Sequence, residues 1–383
     1  MQQDFSERLG RLVQASKAAY FTYEPKFLPV ELKYDEELIK LLADAVQSIS
    51  NLSTRGARLR NPHILIMPYL KKEAVLSSKI EGTRTSLSEV FLEEKEKIKS
   101  PNADLEEVNN YVQSLHNGLK EIQKQNFTTE MIKLLHGTLM KGVRGQDKEP
   151  GKFKTKQNWI GSSDEILEAK FVPASPETTP ALIDNLIDYI NNSERSTNLI
   201  KAGIMHYQFE TVHPFRDGNG RIGRLLISLF LCKTKTLSQP LLYLSAYFDK
   251  HKPTYDEKLF NASSKGDIEG WLKFFLKAIK VQSDEVLLRT EELENYREEC
   301  REKLEINSNS TNVLRVLDFL YINPFIKIGE VKKQLKCHYP TAENNVAILV
   351  KNGILKEYTI RKKRDRIFYC PRICDILGIQ IKH

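Results

Sequence analysis

Apolar residues recur at three- and four-residue intervals along most of this chain, and that spacing restricts it to a mainly α fold. In DEELIKLLADAVQSI, Leu38, Leu41, Leu42, Ala45, Val46 and Ile49 fall on one stripe. A second helical stretch, YLKKEAVLSSKI, follows NPHILIMP and stops at Glu81-Gly82, with glycine just past the helix end. Ser86-Leu87-Ser88-Glu89 has the form of a capping box and opens LSEVFLEEKEKI. The same period predicts helices over about 104–124, 128–141, 177–192, 196–212, 221–232 and 268–303. Strand signals are few before residue 350. The clearest is a hairpin, QNWIG and AKFVP on either side of the polar turn SSDE.

After the charged and then polar stretch EELENYREECREKLEINSNST, read as a connecting helix running into a linker, the pattern changes. Three amphipathic helices follow, TNVLRVLDFLYI, KIGEVKKQLK and TAENNVAILVKN, the last ended by Gly353. Then come a strand, ILKEYTI, a basic tip, RKKRDR (Arg361 to Arg366), and a second strand, IFYC. That order is the layout of a winged helix-turn-helix. Its tip is placed to lie along a DNA backbone, a solvated hairpin or a protein-facing wing being the alternatives.

With 383 residues the chain has room for two or three domains, and 40% hydrophobic with 28% charged residues excludes a disordered polymer. No apolar run approaches the ~20 residues of a membrane span, so no membrane partner is expected. The start, MQQDFSERLG, lacks the basic-then-apolar layout of a secretion signal, and a cytoplasmic protein is expected. Cys232, Cys300, Cys337, Cys370 and Cys374 show no zinc-like spacing and are read as free thiols. The net charge of +8 suits phosphate or nucleic-acid partners, though scattered surface lysines give the same total.

The most specific local feature is GNGRIG, residues 218–223. It fits the glycine spacing of a dinucleotide-binding turn, but such a turn must follow a buried strand, and LIKAGIMHYQFETVHPFRD is helical in period and broken at Pro214. The missing Gly-Lys-Ser/Thr excludes a Walker loop, and Ile222 stands where a calcium loop starting at Asp217 needs glycine. The residues support a different phosphate cradle. His213, before a proline, ends the upstream helix. The glycines let successive amides converge into an anion-binding nest, and a helix starting at about Arg221 turns its positive end to the same loop. Arg221 and Arg224, three apart, share a face of its first turn, while Leu225, Leu226, Leu229 and Phe230 anchor it in the core. Asp217 is the carboxylate for a magnesium ion bridging phosphates, and His213 is the base for an attacking hydroxyl.

HPFRDGNGRIGR, residues 213–224, resembles the signature of the Fic family, HxFx(D/E)GNGRxxR, at every specified position. EPGKFKTKQNWIGSS resembles the family's flap, FVPASPETTPALIDNLIDYIN the segment after it, and LSAYFDKHKPTYDEKL the stretch lining the adenine pocket. The resemblance implies a Fic-type helical bundle with a small β-hairpin flap, an N-terminal helical region and a C-terminal winged helix-turn-helix. It divides the chain into residues 1–112, the catalytic core 113–290, a connection 291–308 and the terminal domain 309–383. It also implies transfer of AMP from ATP to a Ser, Thr or Tyr hydroxyl of a target protein, the chain itself included, with release of pyrophosphate. His213 is then the base, and Asp217 holds Mg²⁺. Gly218, Asn219, Gly220, Arg221, Ile222, Gly223 and Arg224 form the phosphate site.

Asn158, Trp159, Ile160 and Gly161 are the flap's candidates for nucleotide contact, and Tyr255 the candidate for the adenine environment, a packed core tyrosine being the alternative. Where many relatives have arginine in the flap, this chain has Lys154. SSKIEG resembles the family's inhibitory (S/T)xxxE(G/N), with Ser77, Glu81 and Gly82 in the defined places and Arg224 as the glutamate's partner. Removal of AMP, transfer of another nucleotide or phosphate moiety, and DNA-dependent regulation are the rival functions. Gly220 separates this chain from the phosphate-transferring branch, which has lysine there. A homodimer is left open.

Overall fold

The helical period is realised along nearly the whole chain. The computed structural model describes residues 5–15, 19–58, 62–96, 103–161, 163, 165–192, 196–307, 311–358 and 366–381. An antiparallel pair, β1 (Gly10–Gln14) and β2 (Phe21–Pro25), precedes α1 (Glu36–Arg58), α2 (Pro62–Ile80), α3 (Leu87–Glu96) and α4 (Ala103–Lys124). Next come α5 (Thr129–Leu139), α6 (Thr179–Asn192), α7 (Asn198–Val212), α8 (Asn219–Lys233), α9 (Ser245–Lys250), α10 (Lys252–Lys265) and α11 (Ile268–Asn307). The last part runs α12 (Thr311–Ile322), β3 (Phe325–Lys327), α13 (Ile328–Leu335), α14 (Tyr339–Lys351), β4 (Lys356–Glu357), β5 (Ile367–Tyr369) and α15 (Pro371–Leu377). Its sheet has the order β3-β5-β4, with Phe325 and Lys356 both in register with Tyr369.

Nearly every residue of α7 is buried, the polar Lys201, His206 and Gln208 included. It packs on α6, α8 and α11, and α8 packs in turn on α2, α4 and α5, so the loop between α7 and α8 is anchored at both ends in the core. α2 lies between this core and the C-terminal part, touching α4, α9 and α12. Lys72 Nζ of α2 donates to the Leu377 carbonyl at 3.1 Å, and Glu73 accepts from Ser245 N at 3.1 Å and Ser245 Oγ at 2.5 Å. The capping box before α3 forms as read: Ser86 N donates to Glu89 Oε2 at 2.7 Å, and Glu89 N to Ser86 Oγ at 3.3 Å. No helix among the described residues is long and apolar enough to cross a membrane, and the five cysteines are unpaired.

Three expectations change. NPHILIMP belongs largely to α2, which carries Pro68 inside it; the burial of Tyr69, Leu70 and Ala74 on the core outweighs the proline's disruption. QNWIG and AKFVP meet through a single bridge, Ile160 with Phe171, rather than a hairpin ladder. The second segment is instead shared with β2, whose Tyr23 N donates to the Val172 carbonyl at 2.9 Å. The helix expected over 268–303 and onward from 291 is a single one, α11, which runs to Asn307. Finally, β1, β2, α9 and α10 were not read from the pattern. Of the basic tip, only Arg366 lies among the described residues, where it pairs with Glu343 at 3.2 Å.

Candidate functional site

His213 ends α7 in the left-handed region, φ 50° and ψ 60°, an uncommon conformation for a residue with a side chain, held here by its surroundings. Lys154 N donates to the Pro214 carbonyl at 2.8 Å, and Lys154 Nζ to the Val212 carbonyl at 3.0 Å. Asn158 Nδ2 reaches the carbonyls of His213 at 3.0 Å and Phe215 at 2.7 Å, while its Oδ1 accepts from Lys154 Nζ at 2.9 Å. From the other side, the buried Asn219 side chain accepts from Phe215 N at 2.8 Å and donates to Phe215 O at 2.7 Å. His136 lies flat on Phe215, ring centroids 3.7 Å apart. Its Nδ1 accepts from Gly151 N at 2.9 Å, so its Nε2–H donates to the Asp217 carbonyl at 2.9 Å. Burial keeps that ring neutral, well below the ordinary imidazole range. Gly218, φ 77°, then turns the chain into α8, and a Cβ there would sit 2.8 Å from Met140 Sδ. The helix end carries no capping side chain.

His213, Gly220 and Arg224 line one cavity of about 540 Å³, together with Glu81, Ile160, Gly161, Glu210 and Tyr255. Burial, with the Lys154 cation adding to it, holds the His213 ring well below the ordinary imidazole range, so the ring is unprotonated near neutrality. Its Nδ1 lies 3.3 Å from the Glu210 carbonyl; a proton there leaves Nε2 as the free basic nitrogen. Tyr255 is buried, its hydroxyl 2.7 Å from His206 Nε2, and its ring stacks on Phe248 at 4.7 Å.

The two arginines do not share a target. Arg224 faces α2: its Nε donates to Ser77 Oγ and its Nη2 to the Ser77 carbonyl, both at 2.9 Å, and Nη2 meets Glu81 Oε1 at 2.7 Å. Arg221, equally buried, turns to α4, where its Nη1 donates to Glu107 Oε2 at 2.9 Å, and its Nη2 lies 3.6 Å from Asp217 Oδ1. The shared helical face expected for this pair therefore holds at the backbone and fails at the guanidiniums. Burial works against both members of the Arg224–Glu81 pair, yet their mutual attraction prevails: the glutamate is pushed below and the arginine above the ordinary range. Glu81 follows the last residue of α2, and Gly82, φ 99°, makes the turn after it. The Glu81 carboxylate lies over Gly220, where there is no room for a Cβ.

Asp217 keeps its side chain 40% exposed, with Oδ1 accepting from Gly218 N at 2.6 Å. No cluster of three or more His, Cys, Asp or Glu suited to a metal exists among the described residues. One carboxylate is nevertheless a donor that Mg²⁺ takes when phosphates and water complete its shell.

Other expected contacts shift. Asn158 has both ends of its amide engaged in clasping the loop, and Trp159 gives its indole N–H to the Ser163 carbonyl at 3.0 Å. Neither lines the cavity, whereas Ile160 and Gly161 do. Ile222 is a core residue whose N–H starts α8 by donating to the Gly218 carbonyl at 3.1 Å. Gly223 accommodates Glu210 and His206, since a Cβ there would lie 3.1 Å from the His206 ring. His136, Glu107, His206 and Glu210 were not singled out in the sequence. The i, i+4, i+7 run His206–Glu210–His213 was the available signal for two of them.

Residues 126–231 match the Fic/DOC family and residues 39–120 its N-terminal region. A probable protein adenylyltransferase of Aquifex aeolicus is 28% identical over 173 residues, 45% of this chain and 51% of that protein. A protein adenylyltransferase of Caenorhabditis elegans is 34% identical over 88 residues, 22% of this chain and 16% of that protein. The matches thus span about half the length of the first relative and much less of the second. Among solved structures, a Fic family protein from Desulfovibrio desulfuricans superposes with a TM-score of 0.57 at 18% identity, covering 88% of this chain and 97% of that one. C. elegans Fic-1 gives 0.52 at 20% identity, covering 66% of this chain and 72% of that one. Both superpositions show the fold. The chain belongs to the Fic/DOC family.

Proposed function

We propose that this protein transfers AMP from ATP to a Ser, Thr or Tyr hydroxyl of a protein and releases pyrophosphate. The observation that carries the reading is the convergence of His213, Gly220 and Arg224 on one cavity that also holds the Tyr255 ring. The acceptor oxygen attacks the α-phosphorus as His213 Nε2 takes its proton, and the bond to the β-phosphate oxygen breaks, leaving pyrophosphate. A Mg²⁺ ion held at Asp217 would supply neutralisation of phosphate charge. Asp217 is its protein ligand, the free amides at the start of α8 receive phosphate oxygens, and Arg224 receives the terminal phosphate. Arg221, tied to Glu107, serves this site by holding the Asp217 loop rather than by phosphate contact. The names of the relatives support adenylyl transfer, and Gly220 supports AMP over phosphate as the transferred group.

Glu81 keeps the site inhibited by occupying Arg224. The C-terminal part, with its three helices and β3-β5-β4 sheet, fits a winged helix-turn-helix that meets duplex DNA. Incubation with ATP labelled at the α-phosphate should label protein by the mass of one AMP, and His213→Ala should abolish it. Label transferred from the γ-phosphate instead, or undiminished labelling by His213→Ala, would overturn the assignment.

A further inference from the structure

Glu210 lies one turn before His213 on α7, lines the nucleotide cavity and has no role in the transfer described above. Its Oε1 is buried without a hydrogen-bond partner, and so is Nδ1 of His206, one turn earlier. The two unpartnered atoms face each other at 4.0 Å, and Oε2 of the same carboxyl stands 4.0 Å from His213 Nδ1. The far nitrogen of His206, Nε2, is bonded to the Tyr255 hydroxyl at 2.7 Å. The absence of a side chain at Gly223 is what allows the carboxyl and the imidazole to approach there. Glu210, His206 and Tyr255 therefore follow one another along this wall, with a 4.0 Å gap between the first two and a hydrogen bond between the last two.

We propose that Glu210 is a positioning residue which, through the tautomer of His206, decides whether Tyr255 offers a hydrogen or a lone pair to the base of the bound nucleotide. The inference rests on the nucleotide-binding reading of this cavity. A protonated Glu210 that rotates to close the 4.0 Å gap donates to His206 Nδ1; the ring then carries its hydrogen on Nε2 and donates it to the Tyr255 oxygen, which frees the phenolic hydrogen for the cavity. An ionised Glu210 releases one proton to solvent and reverses the line. His206 then holds its hydrogen on Nδ1, toward the carboxylate, and Nε2 accepts the phenolic hydrogen. In the first state Tyr255 recognises an acceptor, such as a purine ring nitrogen that carries no hydrogen. In the second it repels one.

The groups facing Glu210 are His206 and His213 of its own helix, Arg224 of α8, Glu81 at the end of α2, and Tyr255 and Asp256 of α10. Burial pushes the Glu210 carboxyl up to about 8, with the neighbouring carboxylates adding to the shift and Arg224 opposing it. Burial holds the His206 ring far down, to about 3, so it moves between neutral tautomers rather than becoming charged. The donor state of Tyr255 is thus the neutral-pH state, and it is lost as pH rises through the carboxyl's titration.

The test is calorimetric binding of ADP and of inorganic pyrophosphate between pH 7 and 9, to the wild type, Glu210→Gln and Tyr255→Phe. ADP lacks the third phosphate, so the Arg224–Glu81 pair is left in place; pyrophosphate carries the anion without the base. Glutamine mimics the protonated acid at every pH. Wild-type affinity for ADP should fall about tenfold across this range beyond any change seen with pyrophosphate, the loss expected for one group titrating near 8. Glu210→Gln should keep the affinity found at pH 7 throughout, and Tyr255→Phe should bind ADP more weakly at pH 7 with no excess pH response. A wild-type slope in either variant overturns this inference while leaving the nucleotide site intact. Failure of both ADP and pyrophosphate to bind wild type overturns the site reading and this inference with it.

Discussion

Replacing Glu81 by glutamine removes one charge from the cavity and leaves the end of α2 the same length. In the structure, Arg224 is buried and meets Glu81 through a 2.7 Å charged hydrogen bond, while the glutamate side chain is 37% exposed. Hydrogen bonds to charged groups contribute about 1.5–3 kcal/mol. Water at the exposed carboxylate screens the pair, so a figure of about 1–2 kcal/mol is appropriate. On the proposed reading, a terminal phosphate must displace Glu81 from Arg224 before ATP sits productively, and that free energy is the barrier it meets. Lifting 1–2 kcal/mol raises the productive fraction roughly 5- to 30-fold. Arg224 is not orphaned by the change, because its two bonds to Ser77 remain. The assay is AMP incorporation from α-labelled ATP into the chain itself and into a mixture of proteins. Glu81→Gln should raise it by that factor and Glu81→Gly at least as much, and adding His213→Ala should erase both gains. If glycine activates and glutamine does not, the effect comes from loosening the helix end. If neither does, the inhibitory assignment is wrong.

Two further outcomes follow from the loop itself. Asn219→Ala leaves the Phe215 amide, now bonded at 2.8 Å, buried without an acceptor, so the urea midpoint should drop by the equivalent of about 1–3 kcal/mol, along with activity; an unchanged midpoint would show the clasp to be dispensable. Lys154→Met removes the cation that helps depress the His213 ring. The base works only unprotonated and activity falls as pH drops through its titration, so the acid limb of the pH–rate profile should move to higher pH. Lys154→Arg should hold it in place, and a methionine variant with an unshifted limb would discount the electrostatic role.

The path from residues to site is uneven in an instructive way. HPFRDGNGR revealed the loop and the start of α8 to within two residues, because a residue before proline and a left-handed glycine act through local backbone geometry. The capping box at Ser86 and the turn at Gly82 were legible for the same reason. The direction of Arg221 was not, and that of Arg224 toward Glu81 came only with the resemblance of SSKIEG to an inhibitory motif. Spacing places two Cβ atoms on one face, but long side chains go where α4 and α2 present carboxylates, and those helices come from far away in the chain. Asn158 shows the same limit: it was read as a flap residue for nucleotide contact, and its use as a clasp on two carbonyls depends on tertiary packing. α9 and α10 escaped notice because their sequence is polar and weakly periodic, with Pro253 starting the second of them.

α2 carries Lys72 near its middle and Glu81 just beyond its end, nine residues apart, a distance of about 14 Å along a helix. The first is bonded to the carbonyl that closes α15, and the second to Arg224 in the cavity that His213 lines. One helix therefore carries a contact to α15 and, just past its end, a carboxylate over Gly220. Tilting α2 far enough to withdraw the glutamate also strains the Lys72 anchor, so opening the pocket and loosening the C-terminal bundle are energetically one event.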